Sequence, residues 1–172
     1  FFMQGCPARC LYCHNPDSWD EKGGRDIEIE EIVHWAERGR PYYGDKGGVT
    51  FSGGEPLLQG EFLIQAINAL KETGIDSAID ASGTYVDEFT EDAVRASELV
   101  LLDIKHPIAE RFEIITGRKQ ESLFKLIDII NRNGKHVWVR NVVVPDINDT
   151  EEDIEALNDF MKNIRYIDKV EL

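Results

Sequence analysis

The chain has 172 residues, 42% hydrophobic and 30% charged, values that suit one globular domain with a substantial core and leave little room for a second. Lysine and arginine number 19 against 33 aspartate and glutamate, a formal net charge of −14. That balance repels phosphate backbones and anionic bilayers, so no nucleic acid and no membrane is expected among the partners, and a protein or small molecule is. No apolar run approaches a membrane span, no secretory leader pattern appears, and the three cysteines cannot pair evenly, which together predict a reducing, cytoplasmic setting.

Taken in order, the chain opens on the strand-like run Phe1–Gln4 without an initiator Met, which predicts a piece of a longer chain cut at both ends. All three cysteines follow at once: Cys6, Cys10 and Cys13, spaced C-x3-C-x2-C on a loop rich in Gly and Pro. Such a loop can turn three thiolates onto one centre. An iron–sulfur cubane offers four irons to Cys ligands, so three cysteines leave one iron for a ligand from outside the protein. Other readings stay open at this point. Cys10-Leu11-Tyr12-Cys13-His14 is formally the C-x-x-C-H pattern of c-type haem, which leaves Cys6 unexplained. A Cys3His zinc site using His14 strains to bring adjacent residues onto one tetrahedral ion. Ordinary buried thiols rarely cluster like this.

Beyond the loop, a connection punctuated by Gly23-Gly24, Gly39, Gly44 and Gly47-Gly48 surrounds a helical pattern at about Glu28–Arg38 and contains no cysteine. Strand-like runs then alternate with amphipathic ones: strands at Gly48–Ser52, Ser77–Ala81, Leu99–Lys105, His136–Val144 and Lys169–Leu172, helices at about Leu57–Thr73, Glu91–Ala96, Ala109–Thr116, Glu121–Asn133 and Glu151–Ile164. Pro56 suits a helix entry, Gly74 and Asn133-Gly134 suit helix ends, and Asp149-Thr150 offers an N-cap. Six strands with helices between them predict a parallel sheet, either a TIM-type barrel or an open doubly wound sheet. In either, ligands gather at the strands' C-terminal ends.

Four of those ends carry polar groups. Ser52-Gly53-Gly54-Glu55-Pro56 is a turn that lets backbone approach a ligand and adds a carboxylate, although the same residues also make a plain turn into a helix. Asp80 ends one strand and Asp103 with Lys105 another; singly each aspartate reads equally well as a cap. The apolar run Trp138–Val144 suits a strand buried on both faces, interrupted by Arg140, whose charge needs a partner or a cavity. Trp138 is expected in the core, and His34, His106 and His136 as structural or surface residues.

The pattern F-x2-G-C-x2-R-C-x2-C-x-N, filled by Phe2, Gly5, Cys6, Arg9, Cys10, Cys13 and Asn15, resembles the signature of radical S-adenosylmethionine (SAM) activases of glycyl-radical enzymes. His14-Asn15-Pro16-Asp17-Ser18-Trp19 is similar to their pyruvate formate-lyase branch, and the cysteine-free connection lacks the ferredoxin-like insert of some relatives. The resemblance runs essentially the whole chain and implies an α/β fold, a partial six-stranded (β/α)6 TIM-type barrel forming one core domain over residues 1–172. It implies an oxidoreductase of anaerobic metabolism with a 4Fe-4S cluster on Cys6, Cys10 and Cys13, whose open iron is chelated by SAM. One electron then cleaves the sulfonium to a 5'-deoxyadenosyl radical. The implied partners are pyruvate formate-lyase or a related glycyl-radical enzyme, and an electron donor such as flavodoxin. For SAM, the resemblance implies Gly53, Gly54 and Glu55 at the ammonium, Lys105 in contact, Arg140 near the methionyl end, and Val142, Tyr12 and His14 by the adenine. Asp80 and Asp103, with the carbonyls of Ala81 and Leu101, are implied to hold a monovalent cation. Two alternatives remain: an activase of anaerobic ribonucleotide reductase, and a non-catalytic metal-binding interaction module.

Overall fold

Two periodicities alternate along this chain, and in the computed structural model, which describes residues 1–44 and 47–172, they become six strands and six α-helices. The strands are β1 (Phe2–Met3), β2 (Gly48–Gly53), β3 (Asp76–Ala81), β4 (Leu99–Asp103), β5 (His136–Arg140) and β6 (Ile167–Glu171). The helices are α1 (Ile29–Gly39), α2 (Gly60–Glu72), α3 (Thr90–Ala96), α4 (Ala109–Thr116), α5 (Glu121–Arg132) and α6 (Glu151–Met161). Residues 45 and 46 of the glycine-punctuated connection lie outside the described residues.

Alternation decides which side of each strand is buried. Val49 and Phe51, Ile79 and Ala81, Val100 and Leu102, Val137 and Val139 all lie in the core. They share it with Leu63, Ala66, Ile67 and Leu70 of α2 and Leu123, Leu126, Ile127 and Ile130 of α5. In both helices the spacing i, i+3, i+4, i+7 sets four side chains on one face. Each large side chain so buried contributes about 1.5–3 kcal/mol. The other side of each strand is half-exposed and carries Asp80, Asp103 and Arg140.

The strands pair in sequence order, β1-β2-β3-β4-β5-β6, and every pairing is parallel. A doubly wound sheet reverses its strand order at a switch point; this sheet does not, so of the two architectures left open by the sequence it is the partial barrel, with β1 and β6 as its edges. All polar strand ends therefore point to one mouth.

Several boundaries differ from expectation. The helix expected from Leu57 begins at Gly60, because Pro56–Gln59 forms a separate 3-10 turn closed by the Leu58 amide on the Glu55 carbonyl at 3.0 Å. The strand expected to Val144 stops at Arg140. Past it, the Asn141 amide still reaches the Glu171 carbonyl at 3.0 Å, after which the chain turns through Pro145, and the Asn148 side chain replaces a neighbouring strand. β5 is also not buried on both faces: Trp138 is half-buried, off the core face, with the Lys169 ammonium 4.9 Å from its ring centroid. Thr150 caps α6 as expected and shares a reciprocal capping box with Asp153.

Candidate active site

The cysteine loop is fixed at both ends by backbone. The Gly5 amide donates to the Ser18 carbonyl at 2.8 Å, and the Arg9 and Leu11 amides donate to the Thr116 and Ile115 carbonyls at 2.8 and 3.0 Å. Those two carbonyls belong to the last turn of α4, where a helix leaves its acceptors unpaired, so the helix end becomes a dock for the loop. Arg9 folds back within the loop, donating to the Cys6 carbonyl at 2.7 Å, and its guanidinium lies 5.0 Å from the Trp19 ring centroid. The three thiols are free and half-buried. Burial pushes the Cys10 thiol up to about 11 despite the nearby Lys105 ammonium, and burial also raises Cys6. A bound cation reverses that preference, since a coordinating thiol is deprotonated outright.

The loop forms one wall of a cavity of about 330 Å³ whose other walls are the ends of β2, β3, β4 and β5. Cys6, Cys10, Cys13, Tyr12, His14, Gly53, Gly54, Asp80, Asp103, Lys105, Arg140 and Val142 all line it. Twelve of the thirteen residues singled out in the sequence therefore meet in one place. Two ion pairs cross its floor. Asp80 accepts from Arg140 at 2.9 Å and from the Ser52 hydroxyl at 2.8 Å, and Asp103 accepts from Lys105 at 2.7 Å. Burial opposes the Lys105 charge, but the Asp103 carboxylate beside it outweighs burial and raises its pKa. The Tyr12 hydroxyl donates to the Lys105 carbonyl at 3.2 Å, and burial pushes that phenol up to about 12. Ala81 is on the wall; Leu101, paired in the ladder between Asp80 and Trp138, is not.

The thirteenth residue, Glu55, is turned away. It is 1% exposed, and its Oε2 accepts from the Ser82 amide at 3.1 Å and hydroxyl at 2.6 Å. Burial raises its carboxyl to about 7, with the Ser82 donors offsetting part of the cost. The two glycines before it serve the chain itself. A Cβ on Gly54 would stand 2.1 Å from the Gly5 carbonyl oxygen, and one on Gly53, at φ +102°, 2.5 Å from the Met3 nitrogen. Their bareness lets β2 receive the cysteine loop, with the Gly54 and Glu55 amides donating to Met3 and Gly5 at 2.9 Å each. Sequence reasoning missed Ser82, whose only signal was its place two residues after Asp80 on the same strand end.

The other histidines stay away from the site. His34 and His136 are exposed, and His106 is fully buried with Asp153 3.3 Å away.

Comparison with known proteins gives the site its context. The family model described as the Radical SAM superfamily matches residues 1–161. The chain belongs to the radical SAM superfamily. Among curated relatives, the pyruvate formate-lyase-activating enzyme of Clostridium pasteurianum is 44% identical over 99% of this chain and 72% of its own length. That of Streptococcus mutans is 36% identical over 99% and 68%. Among solved structures, a domain of a pyruvate-formate lyase-activating enzyme from Bacteroides vulgatus matches at TM-score 0.64 and 27% identity, covering 72% of this chain and 77% of that one. Streptococcus suis SuiB bound to precursor peptide SuiA matches at TM-score 0.78, covering 99% and 38%, with 16% identity that shows the fold alone.

Radical SAM proteins use a 4Fe-4S cluster and SAM, and the residues present fit both. Three free thiols on a tethered loop suit a cluster that keeps one iron open. On the cavity wall, Asp103 Oδ1 is buried without a hydrogen-bond partner. An unpaired buried acceptor costs about 1–3 kcal/mol and calls for a cation or a donor.

Proposed function

We propose that this chain installs a glycyl radical on pyruvate formate-lyase or a related glycyl-radical enzyme, receiving its electron from a small donor protein such as flavodoxin in a reducing cytoplasm. We assign residues 1–172 to a single radical SAM core. The observation that supports this best is the meeting of Cys6, Cys10 and Cys13 with both ion pairs around one cavity at the open end of the barrel, in a chain 44% identical to a pyruvate formate-lyase-activating enzyme. The relatives named above give no support to the ribonucleotide reductase alternative.

When bound, the cluster supplies the electron that cleaves SAM to a 5'-deoxyadenosyl radical. The chain's own residues bind and orient. Cys6, Cys10 and Cys13 hold the irons. Lys105 and Arg140 present positive charge to the SAM carboxylate, while Asp103 and Asp80 keep those cations in place and, with the Ala81 carbonyl, offer oxygen ligands to a monovalent cation. Gly53 and Gly54 present backbone to the ammonium, with the Glu55 carboxyl buried behind them. Tyr12, His14 and Val142 form the adenine side. No residue is needed as a proton shuttle, because hydrogen-atom transfer moves no separate proton.

The target carbon must come within contact of the 5' position while water stays out. The test is to deuterate the target glycine at its α carbon and follow the label. Deuterium in 5'-deoxyadenosine supports the proposal, and label arriving only from a small molecule rejects it.

A further inference from the structure

Beyond Arg140 the chain leaves the sheet, yet it still forms cavity wall at Val142. A segment without a ladder should have loose amides and carbonyls. Here two buried asparagines take them. Asn148, 3% exposed, accepts from the Val144 amide at 2.6 Å and donates to the Val142 carbonyl at 2.9 Å. One side chain thus bonds the backbone on both sides of Val143, as a neighbouring strand would. Asn141, 5% exposed, donates to the Ile104 carbonyl at 2.6 Å, immediately before Lys105, and its own amide oxygen faces Asn148 at 3.5 Å.

The turn that delivers Asn148 is held by its own polar groups. Asp146 has φ +63°, the only non-glycine residue with positive φ among those described, a left-handed conformation that Asp tolerates. Its amide is held by the Asp149 carboxylate at 3.1 Å. The Asn148 side-chain amide that follows is bonded to the cavity wall at Val142.

We propose that Asn148, with Asn141 behind it, is a positioning residue for SAM: it fixes the backbone at Val142 and ties that wall to the Lys105 wall before ligand arrives. Neither asparagine lines the cavity, so the effect passes through Val142 and Lys105. The proposal rests on the reading of this cavity as the SAM site. It follows that Asn148 governs affinity for SAM and leaves both cluster loading and the cleavage rate at saturation largely alone.

The test uses the full chain with its cluster reconstituted anaerobically. Asn148→Ala removes both bonds; Asn148→Asp keeps the acceptor for Val144 and loses the donor to Val142. For each, SAM affinity is measured by equilibrium binding, iron by chemical analysis, and SAM cleavage as KM and kcat. Losing a buried hydrogen bond of this kind predicts SAM binding weaker by about tenfold or more, with KM rising in step, iron retained and kcat within about twofold of the parent. Unchanged SAM affinity in Asn148→Ala, or a loss confined to kcat, overturns the inference. Hydrogen exchange on the unsubstituted chain adds a measurement that no folding defect can obscure. The Val144 amide should be protected before SAM is added, and exchange as fast as in an open loop overturns the inference. If the unsubstituted chain itself fails to bind SAM, the reading of the cavity falls instead.

Discussion

Asp103 is the residue at which the site's electrostatics are least complete. One of its oxygens holds Lys105 at 2.7 Å and the other is buried with no partner. If that oxygen is a ligand for a monovalent cation, SAM affinity in the parent chain should depend on whether sodium or potassium is supplied. Asp103→Ala should bind SAM more weakly and lose the dependence. Titration in the two salts, with and without the substitution, measures both, and indifference to salt in the parent chain would remove the cation from the site. Glu55 makes a different prediction. Its carboxyl, raised by burial from 4.5 to about 7, holds its proton more tightly in the folded chain than in the unfolded one. This group's contribution to stability is therefore fully present below pH 4.5 and is lost as pH rises through about 7, by roughly 3 kcal/mol. Glu55→Gln should flatten that stretch of the curve. Urea midpoints of the cluster-free chain across the range provide the measurement, and equal slopes in both proteins would refute the assignment.

At the scale of elements, the cysteine loop depends on surfaces that carry no ligands. β2 admits it through two glycines, and α4 docks it with two terminal carbonyls. Gly54→Ala would place a methyl 2.1 Å from the Gly5 oxygen, and backbone cannot yield as a flexible side chain can. The variant should lose about 2–4 kcal/mol of stability and, because the displaced segment is the cluster loop, bind less iron. Iron per chain and the thermal midpoint are the two readings, and full iron at an unchanged midpoint would show that the contact is not needed. At α6, Thr150→Ala removes one half of the capping box and should cost about 1 kcal/mol. Asp153→Ala should cost more. It also strips the buried His106 of its carboxylate at 3.3 Å and Arg111 of its partner at 2.8 Å. Denaturant titration of the two variants should preserve that order.

For the whole molecule, a net charge of −14 surrounds a cavity whose floor pairs two cations with two carboxylates, so a ligand carrying both positive and negative groups finds partners there while polyanions are discouraged over the rest of the surface. No helix among the described residues is long and apolar enough to cross a membrane. Anaerobic reconstitution should load about four iron and four sulfide per chain. Cys6→Ala, Cys10→Ala and Cys13→Ala should each lower both. One zinc without sulfide would instead favour the interaction module.

Much of this was readable along the chain because the information is local. All three cysteines fall within eight positions, so their spacing alone shows that they can meet at one centre. The six strands and six helices follow from hydrophobic periods of two and three to four, and caps at Gly74 and Thr150 mark ends where side chain or backbone acts on its own neighbourhood. The positions of Asp80, Asp103, Lys105 and Arg140 at strand ends came from that same pattern. What the sequence could not determine is which of these groups touch. Asp80 and Arg140 are 60 residues apart and meet only because β3, β4 and β5 lie side by side. Glu55 could equally have faced the cavity; packing of the strand end against Ser82 turned it inward. The run from Trp138 to Val144 reads as one strand by propensity, but past Arg140 its backbone at Val142 and Val144 is bonded by the side chain of Asn148, a residue with no local signal. Local chemistry is written in spacing, whereas partnership across strands is decided by register and packing, and here only the tertiary structure supplies those.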